Sequence, residues 1–308
     1  MQPPRDRAGR FVNLDGSGPH SAVEVLRWAV IDKVTGRRKS SGEGGGAKVI
    51  TPDRALLATP ATAPRITWLG HASFLVQIDG ASIAIDPIFG ERIGGFIRRK
   101  VAAPLQPADL PRIDATLVSH NHYDHLDQPS VRALGAPAFA GLGMGALVER
   151  CREMEWWESA PVTTKVRVHF VPSKHWSRRS LNDVNRTLWG GFVIEGPSGR
   201  VYHAGDTAWF DGFAEIGRRF PGISAALLPI GAYDPGWFME MQHMNPEQAM
   251  RAFVDLGARN FVAMHWGTFK LTDEPLDEPP KRLRADWERR GLPAERLRIP
   301  AIGETFVA

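Results

Sequence analysis

The residues most suited to chemistry are His120, His122, Asp124 and His125, which lie within six residues of one another. Imidazole nitrogens and a carboxylate at this density suit a divalent ion such as zinc. Residues 113–118, just before them, are apolar and β-branched, which predicts a buried strand that delivers a polar loop at its end. The alternative is a surface loop with chance histidines. The strand context and further ligand-type residues downstream favour a metal site.

Three further residues of this kind follow other predicted strands. His175, Asp206 and His265 each come shortly after an apolar, strand-like segment. Loops at the ends of strands can gather at one edge of a sheet, which is where binding sites often form. A catalytic zinc takes about three protein ligands, and two metal ions about 3.5–4 Å apart can act together on one displacement reaction. Seven ligands, one of them shared, therefore predict a two-metal site.

The seven predicted ligands divide into two sets of three and one shared residue. The shared residue is a carboxylate, because its two oxygens can bridge two ions in a way that imidazole cannot imitate. We expect two divalent ions, zinc in the first place, with iron or manganese as alternatives. The first set is His120, His122 and His175, the second set is Asp124, His125 and His265, and the bridging residue is Asp206.

The elements that must position these residues fall within residues 65–308, which we interpret as the catalytic domain. Residues 1–64 are interpreted as an extension, with one amphipathic helix over residues 21–34 and a Gly/Ser-rich loop over residues 35–46. In the catalytic domain, apolar or alternating runs predict strands. These strands cover residues 66–69, 72–78, 82–85, 113–118, 137–140, 165–171, 191–195, 200–203, 225–228, 260–264, 297–299 and 305–307.

Helices are predicted between these strands. The best defined begins after Asn245, which is placed to cap it, with Gln248 completing a capping box and Gly257 ending it. Strands in runs, interrupted by helices, predict an α/β (α+β) fold in which two sheets pack together with helices outside. The other predicted helices cover residues 129–134, 143–151 and 280–290.

Composition limits the class of protein. The chain has 308 residues, 43% of them hydrophobic, which is enough for a substantial core. A single cysteine, Cys151, excludes an intrachain disulfide and a cysteine-based zinc cluster. The formal charge of +4 is compatible with an anionic substrate or an anionic membrane surface, and it is diagnostic of neither.

The N-terminus predicts no secretory signal, because Arg5, Arg7 and Arg10 are followed by no apolar stretch. No segment reaches the roughly 18 apolar residues of a transmembrane helix. We therefore expect a cytoplasmic protein with a small-molecule or phospholipid substrate and no nucleic-acid partner. Peripheral contact with the inner face of a membrane and the oligomeric state are left open.

The motifs around the predicted ligands resemble those of the metallo-β-lactamase superfamily. The H-x-H-x-D-H signature is present at residues 120–125, and both Gly205-Asp206-Thr207 and His265-Trp266-Gly267-Thr268 match the later metal motifs. Within the superfamily, the chain is most similar to the N-acyl-phosphatidylethanolamine-hydrolysing phospholipase D group and its bacterial relatives, over roughly residues 10–308. The segments that carry this closer similarity include Trp156-Trp157-Glu158, Lys174-His175-Trp176, Asn185-Arg186-Thr187-Leu188-Trp189-Gly190 and Met264-His265-Trp266-Gly267-Thr268-Phe269.

The resemblance implies an αβ/βα sandwich, with two mixed β-sheets flanked by helices, and a dinuclear metal hydrolase. It further implies a phosphodiesterase of phospholipase D type that acts on N-acyl phosphatidylethanolamine-like glycerophospholipids by means of a metal-bridging hydroxide. Asp124 and Asp206 would act at the metals, and His243 matches a family histidine that lies near the substrate phosphate. A lactonase or other ester hydrolase with the same dinuclear site is the alternative, and a non-catalytic binding module is a third hypothesis.

Other polar residues near the motifs have two interpretations. Asp86, Asp127 and His71 could orient metal ligands through hydrogen bonds, or they could serve local structure alone. His203, within a strand, is interpreted as structural. His20, in the N-terminal tail, is given no role.

Three further segments are also open to two interpretations. Trp209-Phe210 and Trp237-Phe238-Met239 could form the wall of an apolar substrate pocket, or they could pack in the core. Arg98-Arg99-Lys100 could contact a phosphate or an anionic membrane, although a solvated loop is favoured.

Overall fold

Two large mixed sheets share one hydrophobic core in the structure, a computed structural model that describes residues 2–35 and 42–308. The first sheet contains, in spatial order, β16 (Thr305–Val307), β1 (Arg65–Gly70), β2 (Ser73–Ile78), β3 (Ala81–Ile85), β6 (Ala115–Val118), β7 (Ala138–Gly141) and β8 (Cys151–Met154). The second contains β15 (Leu297–Arg298), β14 (Asn260–Met264), β13 (Ile223–Pro229), β12 (Gly199–His203), β11 (Gly191–Gly196), β10 (Arg167–Val171) and β9 (Ser159–Pro161).

Each sheet is antiparallel in one half and parallel in the other. In the first sheet, β16, β1, β2 and β3 pair antiparallel, and β3, β6, β7 and β8 pair parallel. In the second, β9 to β12 pair antiparallel, and β12 to β15 pair parallel. The carboxyl ends of parallel strands lie at one edge of a sheet. The loops after β3, β6, β12 and β14 therefore open at the ends of the sheets where the predicted ligands lie. The predicted two-sheet α/β architecture is confirmed.

The strands form where the sequence is most apolar. β1, β2 and β3 are buried along their whole length, and the turn between β2 and β3 is the predicted Asp79-Gly80. Both turn residues have positive φ, 48° and 85°, which is the conformation that favours an Asp-Gly pair in a two-residue hairpin. In β10, Val168 and Phe170 are buried while Arg167 is exposed, as the alternating pattern predicts.

The helices confirm most of the predicted ones. The helix after Asn245 begins and ends as expected. The Asn245 side chain accepts a hydrogen bond from the Gln248 N–H, the Gln248 side chain accepts one from the Asn245 N–H, and Gly257 adopts a left-handed conformation at the end. The helices are α1 (Ala22–Leu26, continued by a π-helical turn Arg27–Ile31 and by Asp32–Val34), α2 (Arg54–Ala58), α3 (Gln128–Leu134), α4 (Gly212–Arg219), α5 (Gly236–Met239), α6 (Pro246–Leu256) and α7 (Glu278–Arg289).

The predicted helix over residues 143–151 is wrong. A short 3-10 turn, Met144–Ala146, replaces it, and Cys151 begins strand β8 at the edge of the first sheet. Gly143 and Gly145 weaken a helix at this point. Met144 and Val148 are buried in a separate apolar cluster against α3, so the segment gains burial without helical periodicity. Strand β9 and helices α2, α4 and α5 were not predicted.

The N-terminal extension is attached to the second sheet by buried contacts. Phe11 lies in the main core. The Asn13 carboxamide oxygen accepts hydrogen bonds from the His175 backbone N–H at 3.0 Å and from the Trp189 indole N–H at 3.2 Å. Helix α1 confirms the helix predicted over residues 21–34, with Ser21 and Glu24 forming a capping box. Much of the loop predicted over residues 35–46 lies outside the described residues.

Among residues 2–35 and 42–308, no helix is long and apolar enough to cross a membrane.

Candidate metal centre

The seven predicted ligands come together at one end of the two sheets, although they are spread over 146 positions of the sequence. The loop after β6 provides four of them. The loop after β10 provides His175, the loop after β12 provides Asp206, and β14 ends next to His265. Side-chain nitrogen and oxygen atoms of these residues form overlapping groups in which all the atoms lie within 4.8 Å of one another.

The three histidines of the first predicted set face one another. His120 Nε2 and His122 Nδ1 are 2.9 Å apart, and His175 Nε2 lies 3.2 Å from the same His122 nitrogen. One nitrogen from each of three rings is thus directed at a common point. This arrangement suits one divalent ion with three imidazole ligands.

The second predicted set also converges, and it includes an additional histidine. The Asp124 carboxylate lies 3.3 Å from His265 Nε2 and 3.7 Å from His125 Nε2. His71 Nε2 donates to the same carboxylate at 2.9 Å. Since His71 forms a close group with these three residues, the structure favours the interpretation in which it orients Asp124.

Asp206 lies between the two sets. Its Oδ1 is 3.1 Å from His265 Nε2, and its Oδ2 is 3.9 Å from both His120 Nε2 and His175 Nε2. His125 Nε2 lies 3.2 Å from Oδ2. Oδ2 thus faces ligands of both sets, and Oδ1 faces His265, so the Asp206 carboxylate lies within reach of both sets, as the predicted bridging role requires.

The donor atoms fit divalent ions. His125 Nε2, His265 Nε2 and Asp206 Oδ1 are buried and, within the described residues, have no hydrogen-bond partner of acceptable geometry. Leaving a buried polar atom unpaired is costly, and buried charges in proteins are paired or bind metals. Two imidazole nitrogens and one carboxylate oxygen without hydrogen-bond partners, all directed at the same point, therefore suit a metal centre.

Hydrogen bonds on the outer ring nitrogens orient the imidazoles. His125 Nδ1 donates to Asp86 at 2.7 Å, and Asp86 also accepts from the Ser119 backbone N–H and hydroxyl. His175 Nδ1 donates to the Gln242 carbonyl oxygen at 2.8 Å. In the neutral form of each ring, these bonds place the proton on Nδ1 and direct Nε2 inward, which favours metal ligation through Nε2.

The charges of the centre are strongly coupled. Burial would raise the pKa of Asp124 and Asp206, but the neighbouring imidazoles hold it well below its usual range. Burial lowers the pKa of His120 well below its ordinary value. For His125 and His265, burial is outweighed by the charges of the two carboxylates, which raise the pKa of both, that of His265 to about 9. Two buried carboxylates thus require cations beside them.

His243 lies at the boundary of the centre. Its Nδ1 is buried, 3.9 Å from Asp206 Oδ2, and has no hydrogen-bond partner among the described residues. Burial lowers the pKa of His243 to about 4, so the ring is neutral at neutral pH. A neutral imidazole beside the ligands can donate a hydrogen bond to a bound molecule.

A cavity of about 310 Å³ opens onto this boundary. Its floor includes His122, Asp124, Asp206 and His243. Its walls are mostly apolar. They are formed by Pro19, His20, Val25, Trp28, Trp176, Arg178, Val184, Ala232, Phe238, Met239, Gln242, Leu271 and Thr272.

The N-terminal extension supplies one wall of this cavity, which the sequence analysis did not foresee. The Trp28 and His20 rings stack on Phe238, with centroids 4.8 Å and 4.0 Å away, and His20 Nε2 also donates to the Phe238 carbonyl oxygen. His20 is therefore a packed residue of the cavity wall and not part of a free tail. Its partners are more than 200 residues away, so local sequence gives no signal for this contact.

The aromatic segments separate into two groups. Phe238 and Met239 line the cavity, as one of the two interpretations expects, whereas Trp209 and Phe210 line a different cavity beside Asn13 and Lys174. For Trp209 and Phe210 the structure agrees with the other interpretation, since both pack against the main core.

The contacts of Arg99 and His203 decide two further interpretations. Arg99 is buried and donates to the Ile88 carbonyl oxygen at 2.6 Å, so the favoured interpretation of its segment as a solvated loop is wrong at this residue. The segment begins in the second strand of a hairpin formed by β4 (Arg92–Ile93) and β5 (Ile97–Arg98).

His203 is buried and structural: its Nε2 donates to the Ala72 carbonyl oxygen, and its Nδ1 accepts from the Gly205 N–H.

Arg179 is a further residue that sequence reasoning missed. Its guanidinium donates to the carbonyl oxygens of Asn121 and Leu126 and packs over the Tyr123 ring. It therefore holds both sides of the loop that carries the first four ligands. No motif in the sequence distinguishes it from the other arginines.

The fold and this cluster of ligands define a metal-dependent hydrolase. The protein belongs to the β-lactamase superfamily: the family model described as "Beta-lactamase superfamily domain" matches residues 82–266. The matched residues include all seven predicted ligands, and the match ends at Trp266, directly after His265.

Relatives of this chain include both characterised and uncharacterised proteins. An uncharacterised protein of Mycobacterium tuberculosis is 35% identical, over 92% of this chain and 80% of its own length. N-acyl-phosphatidylethanolamine-hydrolyzing phospholipase D 1 of Caenorhabditis elegans is 34% identical, over 71% of this chain and 68% of its own. The mitochondrial enzyme of the same name from Saccharomyces cerevisiae is 34% identical over 78% of this chain, which spans 55% of the yeast protein.

Among solved structures, a metallo-hydrolase of Ignicoccus hospitalis, Igni18, superposes with a TM-score of 0.61 and 25% identity, covering 80% of this chain and 99% of that protein. The agreement confirms the predicted metallo-β-lactamase fold.

Replacing Asp86 by Asn is expected to weaken metal binding by about 10- to 100-fold, because the His125 ring loses the anionic partner that orients it. Metal retained after dialysis against a graded chelator series, measured by ICP-MS, provides the readout. Asp114→Asn is the matched control, since Asp114 accepts a backbone hydrogen bond from Ser82 at the opposite end of β6. Equal metal retention in both variants would contradict the role given to Asp86.

Metal binding is expected to release protons and to strengthen as the pH rises towards 9. The neighbouring carboxylates raise the pKa of His125 and raise that of His265 to about 9, so these rings hold protons in the metal-free protein that a metal must displace. Affinity should fall by up to about tenfold per pH unit and per proton as the pH is lowered. Calorimetric titration with zinc in two buffers of different protonation enthalpy measures the number of protons released. If no protons are released at pH 7.5, His125 and His265 are not the protonated ligands described here.

Proposed function

We propose that the protein is a phosphodiesterase of phospholipase D type that hydrolyses N-acyl phosphatidylethanolamine-like glycerophospholipids. The observation that carries this proposal is the shape of the cavity. Three of the candidate ligands, His122, Asp124 and Asp206, lie at its floor, and the adjoining wall is mostly apolar. A lipid substrate has the same division, with a charged phosphodiester next to long hydrocarbon chains.

The apolar wall suits an acyl chain. Val25, Trp28, Phe238, Met239 and Leu271 all contribute to it. Each buried methylene group contributes about 0.8 kcal/mol to binding. An acyl chain bound along this wall would displace water from the floor, which would strengthen electrostatic interactions there.

The floor suits a phosphodiester. Two divalent ions held by the seven predicted residues would supply an activated water and would neutralise charge on the phosphate oxygens. Asp124 and Asp206 stay ionised in this environment and can hold such ions. His243, neutral and at the boundary, can donate a hydrogen bond to a phosphate oxygen, and Arg178, in the cavity wall, offers a guanidinium for the same group.

The worm and yeast relatives support this choice, because both are named as N-acyl-phosphatidylethanolamine-hydrolysing phospholipases D. A lactonase or other ester hydrolase is the second candidate. It is favoured by the predominance of apolar residues in the cavity wall, which would accept a long-chain lactone equally well.

A panel of three substrates is expected to separate these candidates. With the protein reconstituted in zinc, we expect the fastest turnover for an N-acyl phosphatidylethanolamine, slower turnover for bis(4-nitrophenyl) phosphate, and the slowest for a long-chain lactone. Product formation is followed by mass spectrometry, and metal content is measured in the same sample. Preferential turnover of the lactone would reverse the order of the two candidates.

Two substitutions are expected to have different effects on metal content. Asp206→Ala should abolish activity and release at least one metal ion, because it removes the residue that faces both ligand sets. His243→Ala should retain both ions and lower kcat by roughly 100-fold, since one hydrogen bond to the reacting group is lost. ICP-MS and steady-state rates on the same preparations test this. A loss of metal in His243→Ala would show that His243 is a ligand.

A further inference from the structure

Glu274 holds a buried carboxylate between two loops that border the catalytic cavity. Its Oε1 accepts a hydrogen bond from the Ala232 N–H at 2.6 Å, and its Oε2 accepts one from the Asp234 N–H at 3.2 Å. The Asp273 N–H donates in turn to the Asp234 carbonyl oxygen at 3.0 Å. Residues 231–235, which we call the first cavity loop, are therefore joined to residues 270–276, which we call the second cavity loop.

Both loops contribute to the wall of the cavity. Ala232 comes from the first cavity loop, and Leu271 and Thr272 come from the second. Glu274 is not one of the residues that line the cavity. Its two hydrogen bonds therefore act on the wall indirectly, because they fix the position of Ala232 relative to the second cavity loop.

The Glu274 carboxylate lies in an unfavourable environment. The residue is only 7% exposed, and burial raises the pKa of its carboxyl group. The Lys270 ammonium donates to the main-chain carbonyl oxygens of Asp273 and Glu274 rather than to this carboxylate. A buried carboxylate that relies on backbone donors in place of a cation is costly. This cost points to a specific function for its two hydrogen bonds.

Ala232 shows what these hydrogen bonds hold in place. Its φ of 64° lies in the left-handed region, which residues with a Cβ rarely adopt. The preceding residue, Gly231, is held independently by close packing, since a Cβ there would lie 2.2 Å from the His265 carbonyl oxygen. The first cavity loop is thus fixed against a predicted metal ligand at Gly231, and it is held by Glu274 from Ala232 onward.

From these contacts, we infer that Glu274 is a positioning residue that determines how well the cavity accepts the hydrocarbon chain of a substrate. The inference deepens the proposed function and rests on it for the nature of that chain. Without the two hydrogen bonds, Ala232 would leave the left-handed region, and the wall beside Leu271 and Thr272 would shift. The predicted metal ligands would keep their positions, because Gly231 is held separately.

Binding of two phosphate ligands to the zinc-loaded full chain tests this inference. Dodecyl phosphate carries a hydrocarbon chain and inorganic phosphate does not, and calorimetry measures the affinity for both without turnover. The amide of Glu274→Gln can accept only one of the two hydrogen bonds. We therefore expect the Kd of dodecyl phosphate to rise about tenfold in this variant, whereas that of inorganic phosphate should change by less than about twofold.

Two further variants make the test specific. Glu304→Gln is the matched control, because Glu304 also accepts a backbone hydrogen bond, from the Ala301 N–H at 2.8 Å, in the turn before β16. It should bind dodecyl phosphate like the wild type. Adding Ala232→Gly to Glu274→Gln should recover part of the lost affinity, since glycine adopts a positive φ without penalty. If Glu274→Gln does not fold, Glu274→Asp, which keeps the charge on a shorter side chain, replaces it in both comparisons.

The readouts keep this inference apart from the proposed function. Unchanged binding of dodecyl phosphate in Glu274→Gln would overturn the inference, and so would an equal loss of affinity for both ligands. Zinc content, measured by ICP-MS in the same preparations, should stay at the wild-type level, and a loss of zinc would also overturn it. The expected binding differences without any phosphodiester turnover by the wild type would support the positioning role and refute the proposed reaction instead.

Discussion

The burial of two carboxylates among histidines is the constraint on which the rest of the structure depends. Asp124 and Asp206 are ionised in a part of the protein from which water is largely excluded. Such charges are tolerated only when cations or strong donors surround them. The centre is therefore one electrostatic unit, in which the state of each imidazole depends on the two carboxylates and on any ion bound between them.

The mixed topology of the sheets meets this constraint. Parallel halves bring the ends of β6, β12 and β14 to one region, so residues far apart in sequence contribute to one centre. Hydrogen bonds behind the ligands then orient them: Asp86 orients the His125 ring, the Gln242 carbonyl oxygen orients the His175 ring, and His71 orients the Asp124 carboxylate. Precise orientation thus comes from polar residues that never touch the reacting group themselves.

The sequence predicted well which ligand-type residues come together and that the fold is a sandwich, because both depend on local signals. Ligand-type residues after apolar strands, such as Asp206 after β12, can be recognised without knowing the fold. Features created by distant contacts could not be predicted. His20 forms part of the cavity only because the fold brings Phe238 next to it. Arg179 supports the loop that carries the first four ligands only because two carbonyl groups of that loop lie within hydrogen-bond distance. The helix predicted over residues 143–151 is wrong although the local signal favoured it. Its apolar residues suited a helix, but Cys151 instead begins a strand that pairs with β7 at the edge of the first sheet.

The hydrogen bond from the His175 N–H to Asn13 has a consequence for how the molecule assembles. The two residues are 162 positions apart, and contacts of such separation form late because a long loop must first be closed. The segment around Asn13 must therefore meet the second sheet before the loop that carries His175 can be completed. A metal-binding centre of full affinity is thus a late product of folding, and a partly folded chain would bind its ions more weakly than the native protein.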